Sequence, residues 1–357
     1  MFVAPRYRSE LRSARPAVIP GAAWPAATAL LLVLVVGGCK SLGPIDVRTR
    51  VSVDPQPVAN ITPIVEMPLR GSPGCGRKVA LIDVDGLLVN ENQTGLMSAG
   101  SNPVDAFRAK LDFAASRQDI AALVLRIHSP GGGVTACDIM HRDLQRFRAV
   151  TGRPVVACLM DVAAGGAYHL ATAADEIVAH PTTVTGGLGV ILNLYNLEDM
   201  LAQFNIIGVS IKAGSQVDIG SPLRTIPTQS RELLQQMADG FQDRFRDSII
   251  QARGPAVSGQ EDFWDGRILG SQQALSSGLI DSIGYLDDAL QMAAWQSGAT
   301  PGNVVMLQPC RERVQSIYTV TPNRPIQGDL MPLDVPGLSR AKLPTFLYMW
   351  QPDPSLR

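Results

Sequence analysis

Residues 123–147 read "LVLRIHSPGGGVTACDIMHRDLQRF". A buried-type strand ends, Ser129 and Pro130 turn the chain, Gly131, Gly132 and Gly133 follow, and from Val134 the apolar residues recur at helical spacing. Glycines between a strand end and a helix start let backbone N–H groups face a cleft, at the helix end where partial positive charge collects. That arrangement suits an anion or a developing oxyanion. Alone it is not diagnostic, since it also occurs in nucleotide folds and as plain packing.

Working outward, residues 77–297 alternate strand and helix patterns. "KVALIDVDGLL", "AALVLRI" and "PVVACLM" are apolar strands, and "EIVAHP", "TVTGGLGVI" and "IIGVSIK" are shorter ones. "PVDAFRAKLDFAAS", the segment after Val134, a segment from about Ala164, "LEDMLAQFN" and Thr228 to Arg253 have helical spacing, and a helical pair closes the region around "SQQALSSGLI" and "YLDDALQMAAW". Such alternation predicts an α/β fold with a buried sheet and a single core. Asp161, at a strand end, is expected to cap the next helix. The apolar stripe of "RELLQQMADGFQDRFRDSI" is expected to serve the core and a subunit contact.

The flanks differ in composition. Residues 1–39 carry Arg6, Arg8, Arg12 and Arg15, then the apolar run "AAWPAATALLLVLVV", which is shorter than the roughly 20 residues that span a bilayer and ends in "VVGGCK". Small residues before a cysteine resemble the lipobox of bacterial lipoproteins, which implies cleavage before Cys39, a lipid on Cys39, and an exported, membrane-anchored protein facing the periplasm or cell exterior. Residues 40–76 hold six prolines and read as a tether, and residues 298–357 read as a proline-rich tail. Export permits a disulfide between Cys75 and Cys310, whereas Cys137 and Cys158 lie in apolar regular stretches and are expected to be buried thiols. Cysteine and histidine spacings suggest no metal site, and no cofactor is expected. A net charge of −1 gives no reason to expect nucleic acid.

The second informative segment is "DVAAGGAYHLATAADEIVA", residues 161–179. Together with "SPGGGVTA", "TTVTGGLGV", "IKAGSQVDIGSPLRTIPTQSRELLQ" and "GRILGSQQALSSGLIDSIGYLDDAL", in that order, it closely resembles the signal peptide peptidase A (SppA) family of serine peptidases. The resemblance covers about residues 78–297. It implies a ClpP/crotonase-like spiral of β-β-α units, an oxyanion and peptide-binding surface at Gly131, Gly132, Gly133 and Gly166, membrane association, and a homo-oligomer or a hetero-oligomer with an active relative. The family's chemistry is a Ser–Lys dyad, in which a neutral lysine takes the serine proton.

Here "AAGGAYH" places Gly165 at the serine position, "KAGSQVD" places Val217 at the lysine position, and "TGGLGV" puts Gly187 where the family carries a further hydroxyl. Neither glycine nor valine attacks or accepts a proton through its side chain. No serine lies between Ser129 and Ser210, and Lys212 is the only lysine from residue 111 to 341. Other candidates have ordinary readings: His169 and Tyr168 pack, His128 is a surface or hydrogen-bonding residue at a strand end, and Cys158 is structural.

Three functions remain. One is an inactive SppA-like protein that keeps the cleft and binds peptides or an active relative. Another is a serine-type peptidase acting on signal peptides or membrane-associated peptides through non-standard residues such as Cys158, His169 or Lys212. The third is a crotonase-type acyl-thioester enzyme. Loss of both dyad residues favours the first. The resemblance further implies that the backbone stays close to productive, so that Gly165→Ser with Val217→Lys restores some hydrolysis.

Overall fold

β2 (Lys78–Asp85) and β3 (Ile120–Ser129) are buried along nearly their whole length, as strands covered on both faces must be. The computed structural model describes residues 63–71, 76–91, 102–254, 257, 261–300, 302–309 and 345–350. In chain order its elements are β1 (Ile64–Arg70), β2, α1 (Pro103–Ser116), β3, β4 (Gly131–Gly133), α2 (Val134–Thr151), β5 (Val155–Ala164), α3 (Gly166–Ala171), β6 (Glu176–Ala179), β7 (Val184–Gly186), α4 (Glu198–Gln203), α5 (Thr228–Arg253), β8 (Ile268–Gly270), α6 (Ser271–Ser276), β9 (Ser282–Ile283), α7 (Leu286–Ser297), β10 (Val304–Pro309) and β11 (Leu347–Met349).

Nine of the described strands form one sheet, ordered β1-β10-β2-β3-β5-β6-β9, with β7 and β8 branching from β5. From β10 to β9 every neighbour is parallel. The fold is therefore mixed α/β around a largely parallel, buried sheet, as the alternation of strand and helix patterns led one to expect. One face is covered by α7 through Leu286, Ala289, Leu290 and Ala293, spaced one helical turn apart. The other carries the larger core, including Leu123, Leu125, Ile127, Met140, Leu144 and Tyr168. Helix ends follow local chemistry. The Asn102 side chain accepts from the Val104 and Asp105 amides ahead of α1, with Pro103 at its first position. Gly152, at φ 63°, closes α2.

Several expectations are corrected. Residues 64–70, read as tether, form an edge strand antiparallel to β10. Pro68 hides this in the sequence, and a sheet edge is where a missing N–H is tolerated. Residues 304–309, read as tail, lie between β1 and β2 because their apolar run is buried. Asp161 caps nothing: it is an exposed residue inside β5, and Gly165 precedes α3. "IIGVSIK" is not a strand: no described strand pairs with it, and Ile207 and Ile211 are 80% and 101% exposed. Cys39, the leader around it, Cys75 and Cys310 lie outside the described residues.

Candidate active-site cleft

The glycine loop, β4, is flanked by chain on both edges. On one, Leu88 N–H donates to Gly131 O at 3.0 Å and Gly133 N–H donates to Leu88 O at 2.9 Å. Successive strand residues present their polar groups to alternate sides, so those of Gly132 turn to the opposite edge. There β11 pairs antiparallel with β4, with Tyr348 opposite Gly132. Val134 N–H donates to Phe346 O at 3.1 Å and Trp350 N–H donates to Pro130 O at 3.0 Å. These two bonds set the ladder's phase and aim the Gly132 N–H at the Tyr348 carbonyl. On the far edge of β11, Leu347 and Ile191 exchange N–H to O bonds of 2.9 and 3.0 Å. Residues 346–350 thus lie as a strand between the glycine loop and Ile191, the way an extended peptide is held when it adds to a sheet edge.

Gly131, Gly132, Gly133 and Gly166, expected to form one binding surface, do come together, and the chain's own Tyr348 carbonyl sits among them. A Cβ on Gly166 would lie 3.2 Å from Tyr348 O. The cleft is occupied by backbone of residues 346–350, a segment that composition assigned to the tail.

Gly165 joins β5 to α3 at φ 54° and ψ −121°, a conformation that L side chains rarely adopt. A Cβ there would lie 2.5 Å from Tyr348 O, 2.7 Å from Tyr348 C and 2.9 Å from Met349 N. Gly165 therefore faces the peptide bond between Tyr348 and Met349. Gly187 adjoins it: a Cβ on Gly187 would lie 3.5 Å from Gly165 N and 3.2 Å from the Trp350 Cβ.

Val217 lies in the loop after Lys212 and is 71% exposed. Lys212 donates to Asp218 at 2.5 Å, and this bond is the main cause holding the Asp218 carboxyl below its usual range. Arg224 also binds Asp218, at 2.5 Å. Lys212 is thus the cation of an ion pair, the wrong form for a base.

Below the strand is a side-chain pocket. The Tyr348 ring stacks on Phe245 at 4.2 Å and stands edge-on to His169 at 6.1 Å, and its hydroxyl donates to Phe241 O at 2.8 Å. Tyr348 is 1% exposed, and burial pushes its phenol pKa up, so it remains a donor. His169 stacks on His141 at 4.2 Å, and its Nε2 is 2.9 Å from the Ser248 hydroxyl. Burial, then His141, keeps His169 well below the ordinary histidine value, and burial lowers His141 to about 4. Among the described residues, His169 Nδ1 is buried without a partner. The tautomer that leaves a lone pair there, rather than an N–H, costs least, and in it Nε2–H donates to Ser248. A base must instead accept the hydroxyl proton. Cys137 and Cys158 are buried as expected, and burial pushes both thiols up, Cys158 to about 12, so neither supplies a thiolate.

Sequence reading missed Phe241, Phe245 and Ser248, whose residue types in an apolar helical stripe carry no chemical signal. It also missed "TFLYM", residues 345–349, a β-prone run after Pro344 that was open to detection as a strand.

Residues 148–300 match Peptidase family S49. A Synechocystis sp. protein named as a protease is 31% identical over 228 residues, 64% of this chain and 77% of that protein. The chain belongs to peptidase family S49. The chloroplastic serine protease SPPA of Arabidopsis thaliana is 33% identical over 173 residues, 48% of this chain but only 25% of that protein. The S49 chain thus spans about a quarter of that longer relative. Among solved structures, a mutant of the 1510-N membrane-bound stomatin-specific protease in complex with a substrate peptide matches at 14% identity, with a TM-score of 0.38, over 66% of this chain and 94% of that one.

Proposed function

We propose that this S49 protein is a non-catalytic member of the SppA branch, which holds an extended peptide in the cleft without cutting it. One observation carries the reading. A peptide carbonyl lies against the glycine loop, and the residue facing it, Gly165, has no side chain to attack with. The SppA-like motifs put the family's serine at Gly165 and its lysine at Val217, and an exposed Val217 offers no desolvated amine. An oxyanion hole by itself still gives a residual rate, as dismantled Ser–His–Asp sites do at roughly 10³–10⁴-fold over water. That is too little for a working peptidase.

The 2.9 Å Ser248–His169 pair favours a second reading, a peptidase built from other residues. It is the weaker one, because His169 lines the pocket around the Tyr348 ring and its Nδ1 has no acceptor among the described residues to hold a proton there and leave Nε2 free as a base. The test uses the full-length protein with casein and a serine-reactive fluorophosphonate. No hydrolysis, no labelling and an intact Tyr348–Met349 bond by mass spectrometry support the first reading. Hydrolysis abolished by Ser248→Ala or His169→Ala would establish the second.

Two further parts of the proposal rest on surface and sequence. Phe204, Ile207, Val209, Ile211 and Val217 are each more than 70% exposed, and this apolar run supports self-association or association with an active relative. The leader and "VVGGC" support export and a lipid anchor on Cys39.

A further inference from the structure

We infer that the cleft is a reader of tyrosine, selecting an extended peptide with an aromatic residue two positions before a tyrosine. The inference rests on the non-catalytic reading. In a strand, residues i and i+2 fall on one face. Here Phe346 and Tyr348 share a face and meet Phe241 and Phe245, themselves one turn apart on α5: Phe346 stands edge-on to Phe241 at 5.0 Å, and Tyr348 stacks on Phe245 at 4.2 Å. α5 and α3 supply this wall, so it belongs to the core and not to the segment it receives.

The pocket distinguishes tyrosine from phenylalanine. Phe241 O accepts the Tyr348 hydroxyl at 2.8 Å, and Tyr348 itself is buried. A phenylalanine there gives up that bond. A phosphotyrosine brings roughly two negative charges against a carbonyl oxygen and cannot be seated. Main-chain bonds to the glycine loop and Ile191 are indifferent to side chains, so they supply affinity while the pocket supplies choice. The resident segment "TFLYMW", residues 345–350, fits this rule.

The experiment uses full-length protein carrying Leu347→Pro, which removes the N–H donated to Ile191 and frees the cleft. A fluorescent peptide spanning residues 342–353 is titrated, with Tyr, Phe, Ala or phosphotyrosine at position 348. Expected is saturable binding of the Tyr peptide, about 3- to 10-fold weaker binding of the Phe peptide, more than about 30-fold weaker binding of the Ala peptide, and none of the phosphopeptide. Equal binding of all four, or no binding of the Tyr peptide to a folded variant, overturns the inference. Cleavage of the peptide would instead overturn the non-catalytic reading. If Leu347→Pro does not fold, amide exchange in the full chain decides: Tyr348→Phe should speed exchange at Tyr348 and Trp350 by about 3- to 10-fold, and unchanged exchange overturns the inference.

Discussion

Gly165 and Tyr348 exclude one another's ordinary chemistry: a Cβ on Gly165 would start 2.5 Å from Tyr348 O and 2.7 Å from its carbonyl carbon. The glycine therefore has a structural purpose of its own. It is the residue that lets the strand lie in the cleft, and any side chain there must push residues 345–350 aside or accept the strain of φ 54°.

The expectation that Gly165→Ser with Val217→Lys restores hydrolysis changes accordingly. In the full chain the serine meets the Tyr348 backbone, and a lysine at the exposed position 217 stays hydrated and charged. The double variant is expected to show no casein hydrolysis, with faster amide exchange at Tyr348 and Trp350. Hydrolysis well above wild type would contradict this account.

His141 and His169 give the fold a pH dependence. Both have folded-state pKa values below that of the unfolded chain, so between about pH 6.5 and 4 the unfolded state binds more protons. Stability is complete above about 6.5 and falls as the pH drops through that window. His141 alone accounts for up to about 3 kcal/mol. Urea denaturation at pH 7.5 and 4.5 should show the loss, and His141→Gln should reduce it.

Arg126 and Asp83 form an ion pair of 2.7 Å across β2 and β3, with side chains 3% and 2% exposed. Arg126→Met leaves a buried carboxylate without that partner and should cost about 3–5 kcal/mol. A calorimetric midpoint within a degree or two of wild type would show that the pair is dispensable.

If the exposed run from Phe204 to Ile211 is a subunit contact, Ile207→Asp with Ile211→Asp should convert the assembly to monomer without altering circular dichroism. Sedimentation velocity reads this directly, and a wild-type monomer at tens of micromolar removes the proposal.

Mass spectrometry of membrane-extracted protein should find Cys39 at the N-terminus with a diacylglyceryl group. A chain starting at Met1, or cut elsewhere, would refute the lipobox reading.

The sequence made the core legible where periodicity was strong: β2, β3, β5, α2 and α5 follow from apolar runs and helical stripes that burial enforces. It also showed the glycine loop, because glycines between a strand and a helix have a backbone purpose. Elements that depend on distant partners were not legible. Pro68 argues against a strand until β10 is known to place it at an edge, and nothing near residues 345–350 says that Gly132 and Ile191 await them. The converse error is "IIGVSIK", a strand by composition that lacks a partner among the described residues. In the site, Gly165, Val217 and Lys212 could be judged from residue type, whereas the pairing of His169 with Ser248 spans 79 positions and leaves no local trace.

The strand in the cleft is joined covalently to the sheet that receives it. A segment of the same chain meets its site intramolecularly, at an effective concentration set by the chain that joins them. A peptide from outside must displace it, and one with the same contacts at a concentration below that effective value would lose. Access to this cleft is then governed by release of the resident segment, and only a ligand delivered at high local density competes on equal terms.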